Sequence, residues 1–196
     1  MKIGEARQLY CAQIKEYQAQ KLQLAKQKRE LEKKMEASAD GKVAFSEEAA
    51  TLELTMEAVN QKQTEYQDYM SALTEQWAAY ANALSAEQQG DAMAEYAEDL
   101  GKIIEVARRI MKGAIVPAAD EKKLMEFSME LYQSAKSIGA MVKREKKEEY
   151  DSLWEDEEEK EYEDPMEAAD NEEAFADGPE IVDVADTIAS VTLEKA

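Results

Sequence analysis

The side chains in this sequence that could do chemistry are few in kind. The chain holds 44 Asp and Glu, a single cysteine and no histidine. Carboxylates at this density fall in pairs on every helix face. Such pairs could act as acid and base or hold a divalent ion. No spacing singles out one pair as belonging to a pocket, which glycosidase-type chemistry needs. Without histidine there is no Ser-His-Asp or Cys-His catalysis, no His-ligated zinc and no Glu-x-x-His di-iron bundle. Cys11 lies one helical turn from Arg7 and Lys15. A nucleophile there would also need an activating base, which the setting does not supply, so a small half-buried thiol is expected. Seven glycines leave little material for phosphate-cradling loops. The expectation is a non-enzymatic protein with no cofactor and no metal.

Charge offers a second kind of chemistry. The formal net charge is −20, but residues 148–180 hold 17 acids against one base, whereas residues 1–147 are close to neutral. Basic clusters stand at Lys26/Lys28/Arg29/Lys33/Lys34, Arg108/Arg109/Lys112 and Lys143/Arg144/Lys146/Lys147. The first is interleaved with Glu30, Glu32 and Glu36 at pairing distance, and the other two fall where helix C-termini favour cations. The acidic tail would compete with phosphate for all three, so direct nucleic-acid binding is disfavoured. The tail could solubilise the chain, fold back on its basic clusters, or imitate a nucleic acid toward a basic partner.

Apolar anchors offer a third. Tyr150, Leu153 and Trp154 follow i, i+3, i+4 spacing inside an acidic run, the pattern of a short amphipathic helix laid in a partner's groove. Packing of Trp154 on the body is the competing reading. Ile181, Val184 and Ile188 open an apolar C-terminal segment that could hook a partner or dock on its own body.

The elements that must position these residues are helical by composition, because straight-chain residues and alanine dominate and β-branched residues are scarce before Ile181. Ile3, Tyr10, Tyr17, Leu24 and Leu31 recur every seven residues, which predicts a helix over about 2–38 with a narrow seam. Ala39 to Lys42 reads as a turn. The second helix carries Phe45, Ala49, Leu52, Met56, Val59, Gln63, Tyr66, Met70, Leu73, Trp77, Tyr80 and Leu84 at alternating gaps of four and three. Gln63 is the one polar residue in that seam and could fix register or oligomer state. Ser46 is the expected N-cap. Ser85 to Gln88 reads as a capping box, which predicts a break or kink before a third helix over 91–112. That helix has Met93, Ala97, Leu100, Ile104, Ala107 and Met111 on its seam, and Gly113 after its end. Asp120 is the expected N-cap of a fourth helix reaching Tyr150, with Leu124, Ser128, Leu131, Ala135, Ile138 and Val142 inward and the widest apolar arc.

The expected fold is therefore all-α: an elongated antiparallel helical hairpin or bundle of about four helices with coiled-coil-like seams. Residues 1–150 form its body, 151–180 a disordered acidic linker and 181–196 a short apolar docking segment. In shape and composition it resembles small helical secretion chaperones, filament-assembly proteins and phage scaffolding proteins. No apolar run approaches the roughly 20 residues of a membrane span, so a cytoplasmic protein with no membrane partner is expected. The expected work is protein–protein interaction through helix seams and an acidic tail, as a scaffold, assembly factor or chaperone-like adaptor. Its partner would be helical or basic, or a second copy in a homo-oligomer. The alternative is a nucleic-acid-linked regulator: a binder autoinhibited by its tail, or a DNA mimic.

Overall fold

The computed structural model describes residues 1–37, 40–142, 147–155 and 160–193. Among them the protein is all-α, with seven helices and no strand: α1 (Ile3–Ala37), α2 (Gly41–Ala44), α3 (Ser46–Met111), α4 (Ala118–Phe127), α5 (Met129–Met141), α6 (Pro165–Asn171) and α7 (Val184–Leu193). Of the break or kink expected near Ser85, the break is absent: α3 runs through it without interruption. Strong helix formers on both sides of Gly90 outweigh one glycine, whose cost is only about 1 kcal/mol.

The chain divides into two compact units, Met1–Leu84 with Glu163–Ala196, and Ser85–Tyr162. This differs from the expected body, linker and hook at 1–150, 151–180 and 181–196. Within the expected linker, residues 151–155 are engaged in the second unit and 163–180 in the first, while 156–159 lie outside the described residues.

The first unit is built on an antiparallel pairing of α1 with the N-terminal part of α3. As numbers rise on one helix they fall on the other. Tyr10 meets Tyr69 at 4.8 Å between ring centroids and Tyr17 meets Tyr66 at 5.4 Å. Lys21 then donates to Asn60 at 2.6 Å, and Lys28 pairs with Glu53 at 3.1 Å. All five heptad residues of α1, from Ile3 to Leu31, are buried. On α3 the predicted seam holds at its centre. Val59, Gln63, Tyr66 and Leu73 are buried, while Leu52, Met56, Met70 and Trp77 are half-buried against them. Toward its end it slips, because Tyr80 is exposed and Ala81 is buried in its place. A straight α-helix drifts about 20° per heptad from a strict seven-residue repeat, and Tyr80 stands five heptads from Phe45. Leu84 is half-buried. At the reversal Gly41 lies against the Met35 backbone, where a Cβ would approach Met35 Cα to 2.9 Å. Ser46, the expected N-cap, is the first residue of α3 and donates to the Val43 carbonyl.

In the second unit the buried face of α3 is Ile103, Val106, Ala107 and Ile110, packed on Val116, Leu124 and Ala135. Met93 and Ile104, predicted inward, are exposed. The predicted fourth helix is broken by Ser128, which adopts extended geometry and caps α5 by accepting from the Leu131 amide at 3.2 Å. Nor is its wide apolar arc buried throughout. Phe127, Met129, Ile138, Met141 and Val142 are exposed, because α3 covers only a narrow face of each piece. That approach is close: a Cβ at Gly139 would sit 3.2 Å from the Ile110 carbonyl carbon and collide with its oxygen. Gly113 carries the positive φ of 77° that ends α3, as its place after the last turn implies. Asp120 is not the N-cap, since α4 begins at Ala118 after Pro117.

Candidate peptide-binding site

The candidate site lies in the first unit, where the C-terminal segment runs over the face of the hairpin. It begins with α6. Asp164 caps α6 by accepting from the Met166 amide at 2.8 Å, Pro165 supplies a preset φ, and Ala168 and Ala169 are buried. α6 packs on α1 at Gly4, where a Cβ would meet Asp170 at 3.2 Å. Arg7 Nη1 reaches Asp170 at 3.3 Å, and Lys2 donates to Asn171 at 2.9 Å. The chain then turns extended. The Ile3 amide donates to the Glu172 carbonyl at 2.9 Å, and the Ala174 amide to the Met1 carbonyl at 3.1 Å.

From there five side chains grip the main chain of the segment. Gln76 donates to the Glu173 carbonyl at 2.8 Å and accepts from the Phe175 amide at 3.0 Å, as a neighbouring strand would. Tyr69 donates to the Ala176 carbonyl at 2.7 Å, and Tyr10 to that of Pro179 at 2.8 Å. Tyr66 donates to the Glu180 carbonyl at 3.0 Å and accepts from the Val182 amide at 2.9 Å. Tyr17 donates to the Val182 carbonyl at 2.9 Å and shares a 2.7 Å hydrogen bond with Thr187. The phenols come alternately from α3 and α1, so the grip depends on the hairpin register. Where the segment crosses the rings, Gly178 lies so close that a Cβ there would stand 2.5 Å from Tyr10 Cζ and 2.7 Å from Tyr69 Cε1. After the extended stretch α7 places Val184 and Ile188 against the same core.

Burial sets the protonation of this ladder. Tyr10 and Tyr69 are pushed above the ordinary tyrosine pKa first by burial; neighbouring phenols (for Tyr10) and Asp177 (for both) add to it. Tyr17 is likewise raised by burial, partly offset by its bond with Thr187. Tyr10, Tyr17 and Tyr69 therefore keep the protons they donate to carbonyls.

The predicted contact residues divide between the units. Val184 and Ile188 dock on the hairpin, with Ile181 more exposed beside them. Tyr150, Leu153 and Trp154 belong to the second unit and do not form the predicted amphipathic helix, since residues 153–155 make a turn. Leu153 and Trp154 pack on its core. Asp120, fully buried, accepts from Ser152 at 2.6 Å and from the Leu153 amide at 3.2 Å, and Trp154 donates to Asp99 at 2.6 Å. Arg109 stacks on Tyr150 at 4.2 Å, and hydrogen bonding to Glu148 raises the Tyr150 pKa. Of the two readings of Trp154, packing on the body is the arrangement seen. The sequence pattern marked Tyr10, Tyr17 and Tyr66 as core but missed Tyr69, Gln76 and Gly178; nothing in a heptad announces a phenol that will face a carbonyl.

No family model, curated protein or solved structure matches this chain. Among the described residues no group of His, Cys, Asp and Glu is placed to hold a metal ion. No helix among them is long and apolar enough to cross a membrane. Of the basic clusters, Lys28 pairs with Glu53, and Arg108 and Arg109 with Glu105. Lys143, Arg144 and Lys146 lie outside the described residues.

Proposed function

We propose that this protein is a non-enzymatic helical interaction module, an adaptor or scaffold, whose α1–α3 hairpin grips an extended polypeptide segment. Its own C-terminal segment is the resident occupant. The observation that carries the reading is the ladder of Tyr10, Tyr17, Tyr66, Tyr69 and Gln76, which is directed at main-chain groups of residues 173–182. Main-chain readout transfers to any extended segment. Selectivity then comes from the one position that must be glycine and from the apolar seats of Val184 and Ile188. A segment tethered in cis holds its groove at high effective concentration, so an incoming partner succeeds when it also contacts surfaces elsewhere. Such a device suits an escort or assembly protein whose groove must stay closed to other segments until its partner arrives.

A labelled peptide of residues 172–190 tests this. Added to the wild-type chain it should bind weakly, because the groove is filled. Added to the full-length Gly178→Leu variant, whose own segment no longer fits over the rings, it should bind roughly tenfold or more tightly. A peptide carrying the same leucine should bind neither. Equal binding of the unaltered peptide to both proteins would discard the reading.

A further inference from the structure

A different surface, in the second unit, carries an inference that does not depend on the tyrosine ladder. A groove of about 1200 Å³ opens between α3, the start of α4 and the segment around Trp154. Its apolar floor is Ala92, Tyr96, Pro117, Ala119 and Trp154. Tyr96 is 66% exposed, and every residue from 91 to 98 on α3 is exposed. The floor is preorganised. Trp154 is fixed by its bond to Asp99, and its ring already receives an ammonium, with Lys123 Nζ at 4.3 Å from the centroid. Around the floor stand Glu95, Asp151 and Glu155, all exposed, for which no ion pair or hydrogen bond is found among the described residues; with Asp99 they make four acids in the lining against two bases, Lys123 and Lys160.

We infer that this groove receives a basic segment of a partner protein, with lysine or arginine side chains on the three carboxylates and an apolar residue against Tyr96 and Trp154. Charge decides between occupants. A neutral or acidic segment would cover these carboxylates without pairing them, which is costly. A nucleic acid would set phosphates against them. A basic segment pairs the carboxylates and lays the alkyl stems of its side chains along the apolar floor, which is favourable on both counts. The volume exceeds that of most small-molecule pockets and suits several side chains in a row.

The test uses the full-length protein and a short fluorescein-labelled peptide in which lysines alternate with leucine and proline. Its counterpart has glutamate at every lysine position. Fluorescence anisotropy should show saturable binding of the basic peptide that weakens as salt rises, and none of the acidic one. Tyr96→Ser should weaken binding roughly tenfold. The combined Glu95→Gln, Asp151→Asn, Glu155→Gln variant should remove most of the salt dependence. All four positions are exposed, so circular dichroism should be unchanged. If the basic peptide binds the Tyr96→Ser protein as well as the wild type, it is reading net charge and the assignment fails. Absence of saturable binding to the wild type overturns it equally.

Discussion

In the first unit Gly178 and Tyr66 fix how closely the C-terminal segment lies on the hairpin. Gly178 sits where a side chain would run into Tyr10 and Tyr69. Replacing it even with alanine must lift the segment or displace two packed rings. Gly178→Ala should therefore raise amide exchange across 174–183 while α1 retains its helicity, read by hydrogen exchange and circular dichroism. Tyr66 both donates to Glu180 and accepts from Val182 through one oxygen. Tyr66→Phe removes two hydrogen bonds while keeping the ring, and should cost about 1–3 kcal/mol in urea titration. The phenols also set a pH dependence. Tyr10, Tyr17 and Tyr69 have pKa values raised in the fold, so the folded state holds its phenolic protons more tightly than the unfolded chain. Their contribution is complete below the ordinary value near 10 and falls away as pH rises through the folded values. Stability should therefore drop above about pH 10. The Tyr10→Phe, Tyr69→Phe double variant should start less stable and show a shallower alkaline decline; an unchanged slope would mean that other groups govern it.

Helices teach a different lesson through their glycines. Gly90 is exposed on α3, and a Cβ there would meet nothing within 4 Å. Gly90→Ala should stabilise the protein by roughly 0.5–1 kcal/mol, since alanine loses less entropy in a helix. Gly139→Ala should do the opposite, because α5 lies too close to the Ile110 carbonyl to admit a methyl. Thermal denaturation distinguishes the pair by sign. A break at Gly90, as its sequence context suggested, would leave the first substitution without gain. The same contrast explains what the sequence disclosed. Period and spacing revealed the all-α class, the buried face of α1 and most of the α3 seam, because these depend on local repeat and burial. Concealed were the partners of each face. Ser128 looked like a seam residue but caps a new helix, and Ile104 sat in register but points away. The acid-rich run hid its fold most fully. Composition counts side chains, whereas 163–183 is held through its main chain, Ala168, Ala169 and Gly178, with Glu173, Asp177 and Glu180 left in solvent.

At the scale of the whole molecule, each unit contains one of the chain's two tryptophans: Trp77 packs on the first core and Trp154 on the second. Single-tryptophan variants therefore give each unit its own signal. Trp77→Phe removes an indole N–H that is buried without a partner among the described residues, so losing it should cost little beyond packing. Trp154→Phe releases Asp99 from its bond, and that carboxylate is not fully buried, so water can take the place of the indole. With Trp77 as reporter, Gly178→Ala should lower the urea midpoint of the first unit, because its core includes Ala174, Val184 and Ile188 from the displaced segment. With Trp154 as reporter, replacing buried Asp120 by alanine should lower the midpoint of the second unit. That change leaves Ser152 and the Leu153 amide without their acceptor, a loss of about 1–3 kcal/mol. The decisive comparison is crossed: each substitution read by the tryptophan of the other unit. Two midpoints that move separately would show that the C-terminal segment can leave its groove while the aromatic–acidic surface stays formed. Two midpoints that always move together would mean that release of the segment costs the whole fold, and an exchangeable occupant would then have no place in this protein.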